Sequence, residues 1–165
     1  MEKILFSLML AVLLLPNVAR ADLAQAEDAY ARGELQAAFQ EFRNLAEQGN
    51  AVAKNRLGES YRDGKGTEQD YEAAAAWFQK AADDGLLRAY WNLGRMYEEG
   101  LGLERNYVLA FKWYYLGRTT TRNALALQQL KSKMSPLQKA EAKNLARDLR
   151  RYRPSFGSFL AGLRL

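Results

Sequence analysis

Apolar positions recur along most of this chain with the period of a helix. Ala53, Leu57 and Tyr61 stand at i, i+4, i+8, as do Ala89, Leu93 and Tyr97, and each set predicts one buried stripe on an α-helix. Ala74, Trp77, Phe78 and Ala81 follow at i, i+3, i+4, i+7, a second amphipathic helix. Between the first and second patterns lie the glycine pairs Gly64/Gly66 and Gly100/Gly102. The first glycine of each pair suits the left-handed residue that ends a helix. Asp70 and Asn106 then stand where a side-chain oxygen caps the next helix, which Gly85 and Gly117 close. Gly58 and Gly94 fall inside the first pattern, where glycine costs about 1 kcal/mol against alanine. Their repetition predicts that another helix passes too close for a Cβ. Near the end, Ser135, Pro136 and Gln138 form a capping box before a helix over 135–149.

The two halves of this pattern are copies. Ala53, Leu57, Gly58, Tyr61, Gly64 and Gly66 match Ala89, Leu93, Gly94, Tyr97, Gly100 and Gly102 at a constant offset of 36 residues. The register continues with Asp70 on Asn106, Tyr71 on Tyr107, Ala74 on Ala110, Trp77 on Trp113 and Phe78 on Tyr114. Backward, Gly49 matches Gly85, Phe42 matches Phe78 and Ala38 matches Ala74, so a copy with a shortened turn precedes these two. The pattern A-x3-L-G-x2-Y-x2-G-x-G, an Asp or Asn four residues on, then A-x2-W-[FY], resembles the Sel1-like repeat, the bacterial relative of the tetratricopeptide repeat. The resemblance implies an all-α fold, a short right-handed α-solenoid of antiparallel helix hairpins. It places a shortened repeat at 22–49, full repeats at 50–85 and 86–117, and capping helices at 118–153. Neighbouring hairpins must stack, because one repeat cannot bury its apolar face alone. The second-helix aromatics are expected in the core, and removing Trp77 is expected to cost about 3–5 kcal/mol.

Outside the repeats, Ile4 to Leu15 is an apolar run behind Lys3, ended by Pro16 and followed by Ala19-Arg20-Ala21. This reads as a secretory signal peptide over 1–21, cleaved after Ala21. The run is shorter than the roughly 20 residues that span a bilayer. The expected location is the periplasm or outside the cell. Charge is divided unevenly: residues 22–117 carry a net −5 and residues 118–165 a net +9. Such asymmetry concerns partners rather than fold.

The chain has no Cys and no His. This removes disulfides, thiol nucleophiles, thiolate or imidazole metal sites and the usual general base. No serine begins an S-x-x-K motif, and no G-x-S-x-G occurs. Gly64-Lys65-Gly66-Thr67 lacks the spacing of a phosphate loop. Adjacent acidic pairs such as Glu98-Glu99 and Asp83-Asp84 point about 100° apart on a helix, unlike a glycosidase pair. Asp63 and Asp70 offer oxygen ligands, but Lys65 sits between them. No enzyme, cofactor or metal is expected.

The resemblance implies a concave face built from the first helices, and helical geometry marks it by what lies opposite the buried stripes. In one repeat this set is Asn55, Glu59 and Asp63 with Arg62; in the next it is Trp91, Arg95 and Glu99 with Glu98. Trp91 replaces Asn55 at the same register, so the scaffold does not require an aromatic there. Trp beside Arg is the composition of a binding hot spot; the plainer alternative is a Trp stacked on Arg95 or packed on a neighbouring helix. Lys139, Lys143, Arg147 and Arg151 form a basic row opposite Ala142, Leu145, Ala146 and Leu149. It reads as a solvated face suited to the helix dipole, or as a contact for an acidic protein or an anionic membrane surface. Phe156, Phe159, Leu160 and Leu163 give the tail at 154–165 an apolar face that caps the array or docks elsewhere.

These residues point to an exported protein-binding module: an adaptor or scaffold in an envelope complex, or an immunity protein that blocks an effector. The alternatives are a cell-wall or β-lactam hydrolase and a peripheral membrane binder. Relatives linked to β-lactams resemble one another in cysteine-bridged repeats, which this chain lacks. Nucleic acid is not an expected partner of an exported protein.

Overall fold

The structure, a computed structural model, describes residues 22–151. The expected signal segment 1–21 and the tail 154–165 lie outside the described residues. Every regular element among the described residues is an α-helix: α1 (22–31), α2 (Leu35–Glu47), α3 (Ala51–Asp63), α4 (Tyr71–Asp83), α5 (Leu87–Glu99), α6 (Tyr107–Leu116), α7 (Thr121–Lys133) and α8 (Pro136–Arg151).

Local chemistry starts these helices at the expected Asp70, Asn106 and Ser135, and also at Asn50, which the sequence pattern did not single out. Asn50 Oδ1 accepts from the Ala53 N–H at 3.0 Å, and Asp70 Oδ1 accepts from the Ala73 N–H at 2.9 Å. Asn106 Oδ1 accepts from the N–H groups of both Val108 and Leu109. Each satisfies donors that a helix N-terminus leaves orphaned. At α8 the capping box is complete: the Gln138 N–H donates to Ser135 Oγ, and the Ser135 N–H donates to Gln138 Oε1.

The described residues divide into two compact units. The first ends at Ala89 and also takes in Leu101–Leu103; the second runs from Tyr90 to Gly100 and on from Glu104. The boundary falls inside α5.

In the first unit α2 packs on α3, and α3 packs on α4. Ala26, Ala38, Phe42, Ala53 and Leu57 are fully buried at its centre, with Tyr30, Tyr61 and Trp77 packed at the edge. Gly58 behaves as expected: a Cβ there would lie 2.7 Å from Cε1 of the buried Phe78. Trp77 departs from expectation. It is only half-buried, and Lys80 Nζ covers its ring at 3.8 Å from the centroid. α4 turns Ala74, Ala75, Phe78, Ala81 and Ala82 inward instead. The indole packs at the edge of that cluster.

The second glycine of each turn does more than turn the chain. Gly66 and Gly102 both have positive φ, 77° and 64°. A Cβ on Gly66 would strike the Leu35 carbonyl at the start of α2, and one on Gly102 would strike the Tyr71 backbone at the start of α4. Each turn is thus pressed against the first residue of the preceding repeat's second helix, where only glycine fits.

The second unit is held by α6, which packs on both α7 and α8. Ala110, Tyr114, Leu130 and Ala142 are buried there, with Phe111, Met134 and Ala146 beside them. Trp113 is 7% exposed and stacks on Tyr90 with ring centroids 5.9 Å apart. A Cβ on Gly94 would overlap the Tyr114 ring, so the α5–α6 approach repeats the one between α3 and α4.

Candidate functional site

The residues singled out on the first helices fall into two groups, one in each unit. In the first unit, on α3, Asn55 is 1% exposed, so it is not a surface residue. The stripe argument failed here because α1 and the start of α5 cover that side of α3. Glu27, Val52, Arg56, Leu86 and Arg88 wall a recess of about 270 Å³ around Asn55. Asn55 Nδ2 donates to Glu59 Oε1 at 3.0 Å, and Arg56 Nη1 donates to Glu59 Oε2 at 3.0 Å.

Arg56, which the sequence pattern did not mark, is the centre of this group. Its Nε and Nη2 donate to the two carboxylate oxygens of Glu27 at 2.6 and 2.8 Å, a bidentate clamp of α3 onto α1. Partial burial pulls the guanidinium pKa down, but the hydrogen bonds and charges of Glu27 and Glu59 outweigh it and leave it raised. Further along α3, Arg62 donates to both oxygens of Asp63, at 2.7 and 3.0 Å. The charges of this face are closed on one another.

In the second unit, on α5, Trp91 is half-buried against the cluster formed by α6, α7 and α8. Two guanidiniums flank its ring: Arg95 at 5.1 Å from the centroid and Arg122 at 4.7 Å. Each contact of this kind contributes about 0.5–1 kcal/mol at an exposed site. Arg95 Nε also donates to Glu99 Oε1 at 2.8 Å, one helical turn on. Arg122 is exposed and has no carboxylate within salt-bridge distance among the described residues. Stacking on Arg95 and packing on neighbouring helices therefore both occur, and part of the indole remains accessible. Arg122 escaped the sequence pattern because it lies on α7, outside the repeat.

Glu98 is not a free surface carboxylate. Its side chain is 13% exposed; its Oε2 accepts from the Tyr114 hydroxyl at 2.8 Å and its Oε1 from Lys133 Nζ at 2.6 Å. Burial, then the bond to Glu98, push the Tyr114 hydroxyl pKa far up, so Tyr114 is a permanent donor. The bond to Glu98 also raises the Lys133 pKa.

On α8, Lys139, Lys143 and Arg147 are exposed, opposite the buried Ala142 and Ala146 and the half-buried Leu145 and Leu149. The side chain of Arg151 lies outside what the structure describes. No helix among the described residues is long and apolar enough to cross a membrane, and no group of acidic residues there could hold a metal ion.

Comparison with known proteins identifies the repeats. The Sel1 repeat model matches residues 51–86 and 87–117. The chain carries two Sel1 repeats. Among solved structures it is similar to c5321, a protective antigen of uropathogenic Escherichia coli strains with an SLR fold: 28% identity, TM-score 0.75, over 89% of this chain and 33% of that one. It is also similar to a Sel1 repeat protein from Oxalobacter formigenes: 29% identity, TM-score 0.62, over 67% of this chain and 46% of that one. The chain spans a third of the first neighbour's length and under half of the second's. No match was found among curated proteins. The fold class is thus an all-α repeat solenoid, the architecture of a protein–protein interaction module.

Proposed function

We propose that this Sel1-repeat protein is an exported adaptor or immunity protein that holds a segment of a partner protein at Trp91. One observation carries the reading. Trp91 is partly exposed between two guanidiniums, where the matching position of the preceding repeat holds a buried asparagine. A hairpin needs no aromatic at that register to fold. A partly exposed indole beside Arg122, whose guanidinium has no carboxylate within salt-bridge distance among the described residues, offers apolar area and a cation to an incoming segment with a carboxylate beside an apolar side chain. Export rests on the apolar run Ile4 to Leu15 and on Ala19-Arg20-Ala21.

The test places a photo-crosslinking residue beside the site, at Thr121, and another in the first unit at Gln36, in cells that make the protein at its native level. The expected result is one adduct at Thr121 and none at Gln36, lost in Arg122→Glu with the melting temperature unchanged. N-terminal sequencing of the isolated protein is expected to begin at Asp22. An adduct that persists in both Arg122→Glu and Trp91→Phe overturns the site, and a chain that retains Met1 overturns the export.

A further inference from the structure

The second unit carries a groove that neither the repeat pattern nor the Trp91 site explains. It has a volume of about 580 Å³ and lies among α6, α7 and α8. One wall is the stacked pair Phe111 and Tyr115, with ring planes 12° apart and centroids 5.7 Å apart. The Arg118 guanidinium lies over the Tyr115 ring, 4.1 Å from its centroid. Leu127, Met134, Ala142 and Ala146 continue the apolar lining.

The charged lining is of one sign: Lys131, Lys139 and Lys143. All three are exposed, and none of the ammonium groups has a carboxylate within salt-bridge distance among the described residues. Lys133, two residues from Lys131, shows the contrast, since Glu98 holds it. Three unneutralised cations around an apolar slot form an amphipathic recognition surface. The volume falls within the roughly 300–1,000 Å³ of small-molecule sites, which combine an apolar lining with a few charged groups.

We propose that this groove binds a free, single-chain anionic amphiphile, a long-chain carboxylate, with its chain against Phe111, Tyr115 and Leu127 and its headgroup among Lys131, Lys139 and Lys143. Charge argues for this occupant over the chain's own C-terminal segment. Residues 152–165 contain Arg153 and Arg164 and no acidic residue, so that segment brings like charge to the lysines. The groove does not depend on the partner site at Trp91, and neither result bears on the other.

The experiment is calorimetric titration of the full chain with dodecanoate below its micelle concentration, beside dodecyltrimethylammonium, which has the same chain and the opposite charge. One-to-one saturable binding of dodecanoate is expected, about tenfold or more tighter than the cation. The double variant Lys139→Glu, Lys143→Glu is expected to erase that preference without changing the melting temperature. Lys80→Glu, an exposed lysine of the first unit, is expected to leave it intact. Equal affinity for the two amphiphiles, dodecanoate binding that survives the double variant, or no saturable binding each overturns the proposal. So does co-sedimentation with phosphatidylglycerol vesicles in the absence of dodecanoate binding. A groove filled by a second copy or by the C-terminal segment appears as no saturable binding and overturns it as well.

Discussion

The first helices of the two full repeats share a buried stripe and a glycine at the same register, yet their surfaces differ in kind. On α3 the polar groups close on one another: Asn55 and Arg56 hold Glu59, Arg56 clamps Glu27, and Arg62 holds Asp63. On α5 the same positions carry Trp91 and Arg95, and Arg122 joins them with no carboxylate of its own. The repeat scaffold fixes the positions that pack and leaves the others to vary. A surface whose hydrogen bonds and charges are satisfied internally has little left to offer a partner. One with a partly exposed aromatic beside an unneutralised guanidinium does, because partner groups can satisfy what the fold has not.

The largest expected contrast lies between the matched tryptophans of the second helices. Trp113 is 7% exposed and stacked on Tyr90, whereas Trp77 lies half-buried under Lys80. Trp113→Ala is expected to cost about 3–5 kcal/mol, as for large aromatic truncations in cores. Trp77→Ala is expected to cost about half of that, since less apolar area returns to water and little cavity remains. Urea unfolding of the two variants checks this. Equal losses would mean that the rim position is as tightly packed as the core one.

The turn glycines come next. Gly33, in the shortened turn, has φ 83° with open space where a Cβ would point, while Gly102 has φ 64° and faces the Tyr71 backbone. Gly33→Ala is expected to cost about 1–2 kcal/mol, the strain of a left-handed alanine alone. Gly102→Ala adds an overpacking cost of about 1–3 kcal/mol. The difference between their thermal midpoints measures the backbone contact by itself.

Much of this fold was legible because its signals are local. The caps at Asp70 and Asn106, the capping box at Ser135 and the close approach at Gly58 and Gly94 each rest on a few adjacent residues or on a pattern seen twice. What misled was direction relative to neighbours. A stripe opposite the buried one is solvent-facing only if nothing covers it, and α1 with the start of α5 covers Asn55. Trp77 and Trp113 are equivalent in sequence, yet only one is enclosed. The groove among α6, α7 and α8 left no trace in the pattern, since its lining comes from three helices, two of them outside the repeat. Of the eight residues marked on the first helices, Glu98 shows the same limit: its spacing places it on the surface, and Tyr114 and Lys133 make it structural.

That carboxylate sharpens the comparison at a smaller scale. Glu98 accepts from a buried tyrosine hydroxyl, whereas Glu59 accepts from Asn55 and an arginine that keeps Glu27 as a second partner. Glu98→Gln is expected to cost about 1.5–3 kcal/mol, the range for a hydrogen bond to a charged group. Glu59→Gln is expected to cost less, because Arg56 remains paired. Chemical denaturation of both variants decides the order, and a reversed order would place the tighter network in the first unit.

The smallest effect concerns pH. Lys65 in the first unit and Lys133 in the second both have raised pKa values, the first through its bond to the Tyr30 hydroxyl and the second through its bond to Glu98. A lysine whose folded pKa exceeds the unfolded one stabilises the folded chain fully below the unfolded value of about 10.4 and loses that contribution as pH rises through the folded value. Both ammonium groups are largely exposed, so solvent screens the gain. The melting temperatures of Lys65→Met and Lys133→Met are therefore expected to sit slightly below that of the native chain from pH 7 to about 10, and the gaps to close above it. They differ in salt response. The Lys133 gap shrinks with added salt because it reflects an ion pair, while the Lys65 gap, which reflects a bond to a neutral hydroxyl, changes less. Gaps that widen in alkali, or that respond alike to salt, would break the assignment of these two contacts.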